Sequence, residues 1–363
     1  MAKILFLTHE SLQKTAVARA MFESVAKSCA TGGEHCISIC SADESVQQYT
    51  ADDIRYTTFK RSSYGVAGVA ALYSFIASFR VIFRELRKHE TIIVRSYPMM
   101  FYALWAKLWG NKIIFDSRGL FFEELFDSGK IKFIFLKKIL FIFEKLFVSF
   151  SDRVISVSEA QEDYYGLSGS AKSAVIYNGA IQSENIKNVC LNSSVLNIGY
   201  VGSLISWHKP QLMFDILKSL DGLGVKYKFH LITPDPVFGR QLFSGLQGEV
   251  VAYAHDYRNF PLKFDIAFCL IADSLSKRIC FPVKFCEYLA SGTPVLFSEN
   301  VNVLTGIAKR YDVGVATNLN EPPGNIANAI VKYVREHKRK VVSLPEELCF
   351  SVQVKNYKKV ILD

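Results

Sequence analysis

Short runs rich in β-branched residues alternate with longer amphipathic stretches from one end of this chain to the other, the pattern of parallel sheets with helices on both faces. In the first half the runs are Ile4 to Thr8, Ile37 to Cys40, Thr91 to Arg95, Lys112 to Asp116, Val154 to Val157 and Ala174 to Tyr177. Between them apolar residues recur at three and four, most clearly over Gly68 to His89 and Met99 to Trp109, which reads as helix. After Asn178-Gly179 the sequence turns polar. The alternation then restarts at Ile198 to Val201, Lys228 to Ile232, Val250 to Ala252, Ile266 to Leu270 and Pro294 to Phe297, with Gly314 to Ala316 as a sixth run. A polar stretch between two α/β patterns is where a linker belongs, so the seam falls near 182 to 195. With 363 residues there is room for two cores. The expectation is an α/β chain of two Rossmann-like domains, 1–185 and 186–345, whose strand ends face across a ligand cleft, closed by an amphipathic stretch within 346–363.

A formal net charge of +9 favours a polyanionic partner: nucleic acid, an anionic membrane surface or a phosphorylated substrate. The basic residues are dispersed and form no groove-reading module, which argues against nucleic acid. Eight cysteines are scattered, several inside apolar runs, as expected of reduced thiols in the cytoplasm. His35, Cys36 and Cys40 lack a second Cys or His pair at zinc-site spacing, so no metal is expected. The apolar opening, Ile4 to Leu7, is too short for a signal peptide, and no window approaches the roughly 18 apolar residues of a membrane span. Any membrane contact is then peripheral.

The segment from Pro282 to Val295 is the most informative. Proline at its start, and Gly292 with Pro294 at its end, bracket a short helix over 283 to 290. The amino end of such a helix suits a diphosphate, and Lys284 adds a full charge in the first turn. Lys284 and Glu287 share a face, while Phe285 and Leu289 point to the core. A carboxylate so placed accepts both hydroxyls of a ribose; the alternative is an ordinary surface Lys-Glu pair.

This order of residues, P-x-K-x-x-E-Y-L-A-x-G-x-P-V, resembles the family 4 glycosyltransferases, retaining enzymes of the GT-B fold, and in particular bacterial members that assemble surface polysaccharides. Phe115 to Gly119 with Glu123-Glu124, Glu144-Lys145 followed by Ser151 to Ser158, Val175 to Gly179, and Tyr200 to Leu204 with Trp207 and Lys209 are similar to further family segments, in family order. The resemblance implies that Glu287 holds the nucleotide ribose, that backbone around Gly202 and Ser203 holds the diphosphate, and that Lys209 and Lys284 neutralise it. It also implies that the final helix packs on the first domain. Many relatives carry a second glutamate where Ile279 stands here. Ser276, Lys277 and Arg278 resemble a serine-lysine version of that loop, and Lys277 and Arg278 are taken as donor contacts. Arg118, after an amino-domain strand, is a candidate for donor phosphate or acceptor, or else a structural bridge to Asp116 or Glu124. His9, ending the first strand, is a candidate acceptor-side base or sugar contact. The implied activity moves a hexose from a UDP- or GDP-sugar to a lipid-linked saccharide with retention, without a metal or other cofactor. A nucleotide-sugar epimerase and a non-catalytic docking subunit are the alternatives.

Lys130 to Phe150 combines five lysines with a dense run of Phe, Ile and Leu. Lys137, Lys138 and Lys145 can share a basic face suited to an anionic inner leaflet, and Val69 to Arg87, with Arg80, Arg84 and Arg87, is a second candidate. The competing expectation is a buried helix with a solvated lysine edge.

Overall fold

The computed structural model describes residues 2–12, 16–31, 35–43, 45–60, 69–129, 133–182, 195–254, 264–337 and 342–363. The chain divides into two compact units, Met1–Tyr177 with Ser351–Asp363, and Asn178–Phe350.

The first unit runs β1 (Ala2–Thr8), α1 (Ala16–Ala30), β2 (His35–Asp43), β3 (Gln48–Ala51), β4 (Ile54–Lys60), α2 (Val69–Leu86), β5 (Thr91–Arg95), α3 (Tyr97–Lys107), β6 (Lys112–Asp116), α4 (Phe121–Asp127), α5 (Ile134–Phe150), β7 (Arg153–Ser156), α6 (Glu159–Tyr164) and β8 (Ser173–Val175). Its sheet has the order β3-β4-β2-β1-β5-β6-β7-β8. All neighbours are parallel except β3 and β4. The central strands are buried on both faces, which is why Ile92, Ile93 and Val94 run without a polar interruption. The chain leaves β1 toward β2 on one side and later returns to β5 on the other. The carboxyl ends of β1 and β5 therefore form a topological switch point, where open α/β sheets bind ligands.

The second unit runs β9 (Leu196–Val201), α7 (Pro210–Gly222), β10 (Tyr227–Thr233), α8 (Pro236–Leu242), β11 (Glu249–Ala254), β12 (Ile266–Cys269), α9 (Leu275–Arg278), α10 (Val283–Ala290), β13 (Val295–Ser298), α11 (Asn302–Ala308), β14 (Gly314–Thr317) and α12 (Pro323–Glu336). Its six strands are ordered β11-β10-β9-β12-β13-β14, all parallel, so its switch point lies between β9 and β12. The last helix, α13 (Phe350–Leu362), belongs to the first unit from Ser351 onward.

Two expectations need correction. The Gln48 to Lys60 stretch contributes a pair of strands that alternation did not reveal, because β3 is wholly exposed at the sheet edge and β4 is rich in Thr. Asn178, the first residue of the second unit, bonds within it: its Nδ2 donates to Phe281 O at 2.6 Å and its carbonyl accepts from Cys286 Sγ at 3.0 Å. Lys137 does not share the outer face of α5; it turns to Glu123 at 2.7 Å and to the Phe126 ring. The polar stretch 183–194 lies outside the described residues, as do Gly68, Lys130 and Lys132.

Candidate functional site

The carboxyl end of β9 turns sharply at Gly202, whose φ of 137° lies in the region that favours glycine. Two tyrosines brace the turn. Tyr200 Oη donates to Ser203 O at 2.6 Å, and Tyr288 Oη, from α10, accepts from Val201 N at 2.8 Å. A glycine is also required sterically, since a Cβ at position 202 would stand 2.5 Å from Lys284 Nζ.

Lys284 reaches that position from the first turn of α10, which spans 283 to 290 as its bracketing residues require. Phe285 and Leu289 are fully buried and anchor the helix, leaving Lys284 and Glu287 half-buried on its other face. The Lys284 ammonium donates to Tyr200 Oη at 3.1 Å and lies 3.2 Å from His208 Nε2. Burial lowers its pKa to about 8, against the opposing influence of Cys269 and Glu287. Burial, then Lys284 and Lys277, push His208 down to about 3. The imidazole is thus neutral, and Nε2 acts as the acceptor with the proton on Nδ1. Two uncharged acceptors therefore hold a partly desolvated ammonium over a glycine turn, an arrangement that favours an added anion.

The remaining donor-side candidates divide. Lys277 is buried, with its ammonium 4.6 Å from the centre of the Trp207 ring. Lys209 is the N-cap of α7 and holds a left-handed conformation, φ 53°, which costs a non-glycine residue about 1 kcal/mol or more. That strain sets the lysine at the start of a 13-residue helix, beside His208. Arg278 instead turns outward and pairs with Asp273 at 2.6 Å and 3.0 Å. Ile279 is buried and apolar, so nothing at that position replaces the relatives' carboxylate. The contact of His208 with Lys284 was not legible in the sequence, where its neighbours Trp207 and Lys209 matched a pattern.

In the first unit, His9, Arg118 and Arg95 line one cavity of about 780 Å³ at the ends of β1, β5 and β6. His9 N donates to Ser96 Oγ at 3.3 Å, joining the two strands of the switch point. Ser96 has a φ of 92°, a strained value for serine, at a turn that lines the cavity. Arg95 is buried, which disfavours its charge, but Asp116 at 2.7 Å outweighs this and its pKa rises. Asp116 also accepts from Tyr357 Oη at 2.8 Å. Arg118 donates through Nη1 to Tyr357 Oη at 2.8 Å and to Ile176 O at 3.2 Å, and lies 3.7 Å from Asp116. Arg118 thus lines the cavity, bridges to Asp116 and, through Tyr357, braces α13. Glycine is needed at 119 as well, with φ 154°, and Gly119 O accepts from Tyr97 Oη at 2.9 Å. Tyr97 Oη also lies 2.5 Å from the buried Glu144 carboxyl, which ties α5 to the Arg118 loop. Arg95, Tyr97 and Tyr357 escaped the sequence reading because their partners lie 20 to 262 positions away.

Two parallel-sheet units, each with a polar cluster at its switch point, are the architecture of the GT-B glycosyltransferases, and solved structures of that class are similar to this chain over its whole length. The lipopolysaccharide outer core galactosyltransferase WaaB in its apo form covers 99% of this chain with 99% of its own, at a TM-score of 0.68 and 12% identity. A glycosyltransferase from Rickettsia africae ESF-5 covers 100% with 99% of its own, at 0.69 and 15% identity. A UDP-forming α,α-trehalose-phosphate synthase from Burkholderia xenovorans, in complex with glucose-6-phosphate, covers 99% with 100% of its own, at 0.62 and 11% identity. These are likenesses of fold. Residues 15–179 match the family model described as Glycosyl transferase 4-like domain, and the whole chain has the GT-B fold. No curated protein sequence matches the chain.

Proposed function

We infer that the protein transfers a hexose from a UDP- or GDP-sugar to a saccharide acceptor with retention at the anomeric carbon. The observation that carries this reading is the Lys284 ammonium held over Gly202 by Tyr200 and His208. As the glycosidic bond breaks, negative charge builds on the leaving nucleoside diphosphate, and pre-positioned cations stabilise that state in a poorly solvated site. In this reading Lys284, Lys209 and Lys277 face the phosphates, amides at Gly202 and Ser203 donate to them, and Glu287 accepts the ribose hydroxyls. Arg278, paired outward with Asp273, takes a lesser part. The lysines supply the charge that a divalent metal supplies elsewhere, so the proposal includes no metal or other cofactor. The cavity of the first unit takes the acceptor, with Arg118 and His9 as its polar contacts.

The acceptor is a lipid-linked saccharide of a bacterial capsule, lipopolysaccharide or exopolysaccharide, met in the cytoplasm at the inner face of the plasma membrane. The likeness to WaaB, itself described as a lipopolysaccharide galactosyltransferase, supports the pathway class. The buried Ile279 favours one competing reading, a docking subunit that keeps the fold without turnover.

Calorimetric titration with UDP, GDP, ADP and CMP, followed by a donor-hydrolysis assay, separates the readings. Binding of UDP or GDP, weakened about a hundredfold by Glu287→Ala through two lost charge-assisted hydrogen bonds, supports the donor site. Binding without hydrolysis or transfer would point to the docking subunit, and wild-type protein that binds no nucleoside diphosphate would end both.

A further inference from the structure

The outer surface of the first unit carries a concentration of apolar side chains unlike an ordinary solvated face. On and beside α5, Phe133, Ile134 and Phe135 are 77%, 74% and 71% exposed, and Ile142 is 58% exposed. On and just past α3, Trp105 is 51% and Leu108 74% exposed. The two helices join into one surface, because Phe101 of α3 packs against Phe143 and Phe147 of α5 at 5.2 and 4.9 Å. It continues to α2, whose Phe83 meets Trp105 and Trp109 at 6.1 and 5.1 Å. Between α2 and α3 lies an apolar groove of about 480 Å³ lined by Phe79, Phe101, Trp105 and Leu108, among others.

Charge is segregated on the same three helices. Their spans contain two carboxylates, Glu85 and Glu144, and both are buried. The exposed charges are basic: Arg80 and Arg84 on α2, and Lys138 and Lys145 on α5, with Arg87 stacked over Trp109 just beyond α2. In α5 the exposed residues Ile134, Lys138, Phe141, Ile142, Lys145 and Leu146 share one arc of the helix, while Phe147 and Val148 point to the core. An apolar arc carrying lysines and no exposed carboxylate is the composition of an interfacial helix, in which long basic side chains reach the headgroups while rings enter the acyl boundary. No helix of the described residues is long and apolar enough to cross a membrane.

We propose that α2, α3 and α5 form a docking face for an anionic bilayer surface, with Trp105, Leu108, Phe135 and Ile142 entering the acyl boundary and Lys138 and Lys145 meeting the headgroups. This deepens the membrane-surface part of the function proposed above by naming the face that makes contact, and does not depend on the sugar chemistry. Of the two expectations for the lysine-rich segment, a buried helix does not account for the exposures of Ile134, Phe135 and Ile142.

The test is co-sedimentation of the whole protein with vesicles of phosphatidylcholine alone and of phosphatidylcholine mixed with phosphatidylglycerol. Wild-type protein is expected to partition at least roughly tenfold better onto the mixed vesicles, and Lys138→Gln with Lys145→Gln to lower that partitioning about thirtyfold. Ile142→Glu is expected to abolish it while the thermal melt and nucleoside-diphosphate binding stay unchanged. Brominated acyl chains should quench tryptophan fluorescence in the wild type, and much less after Trp105→Phe with Trp109→Phe. Equal partitioning onto both vesicles, none onto either, or full binding by Ile142→Glu overturns the proposal. So does a dimer in sedimentation velocity that Ile142→Glu dissociates without any vesicle binding, which would make the face a contact between copies. Transfer to a soluble acceptor, assayed without lipid, tests the enzymatic reading separately.

Discussion

Lys284 Nζ lies 3.2 Å from His208 Nε2, and these two residues, 76 positions apart, form a cation held by a neutral imidazole. With His208 held down to about 3 by burial, it does not gain a proton at working pH, whereas Lys284, held down to about 8, loses one at mildly alkaline pH. In the proposed reading, anion binding depends on a lysine that titrates within reach of experiment.

Because the ligand prefers the ammonium form, affinity for a nucleoside diphosphate is expected to be constant from about pH 6 to 7 and to fall as pH rises through about 8. Binding near pH 8 then takes up a proton. Calorimetry in buffers of different ionisation enthalpy measures both effects. Lys284→Met should lower affinity at least roughly tenfold at pH 7, the scale of one lost charge-assisted contact, and remove the alkaline limb.

Gly202→Ala places a methyl group 2.5 Å from Lys284 Nζ and strains a backbone at φ 137°. The lysine must leave its place between Tyr200 and His208. The expected result is a loss of about 1–2 kcal/mol in folding stability and a comparable loss in nucleoside-diphosphate binding, measured by denaturant titration and calorimetry.

Tyr357→Phe removes the hydroxyl that donates to Asp116 and accepts from Arg118. Asp116 is fully buried, so one of its lone pairs loses a partner, at a cost of about 1–3 kcal/mol. A lowered unfolding midpoint with unchanged nucleoside-diphosphate affinity is expected, since Tyr357 belongs to the first unit.

Glu144 is buried among tyrosines, and burial raises its pKa. The folded protein then holds this proton to higher pH than the unfolded chain does, so the contribution of Glu144 to stability is present below the unfolded carboxylate range and declines as pH rises through the folded pKa. Glu144→Gln retains an acceptor for Tyr97 without that decline. Melting temperatures should match the wild type near pH 4.5 and exceed it near pH 8.

His9→Ala tests the acceptor side. If His9 contacts the acceptor, turnover should fall about a hundredfold in a transfer assay while nucleoside-diphosphate affinity holds. Equal turnover by the variant would leave His9 as a loop residue bonded to Ser96.

Local sequence was sufficient for whatever depends on neighbours along the chain. Short β-branched runs located β5, β6, β9 and β10, and the bracketing prolines and glycine located α10, nearly to the residue, because buried parallel strands and short bracketed helices write their burial and their ends directly into adjacent positions. The Pro282 to Val295 string likewise placed Lys284 and Glu287 on one helix face, since three residues of helix bring side chains together whatever surrounds them. What tertiary structure decided was partnership across distance. His208 with Lys284, Tyr357 with Asp116 and Arg118, and Tyr97 with Glu144 are joined by the order in which strands enter a sheet, which no short window of sequence contains. The same holds for the apolar face of α5. Its composition suits both a core and a bilayer, and only the packing of Phe147 and Val148 inward fixed which rings were left outside.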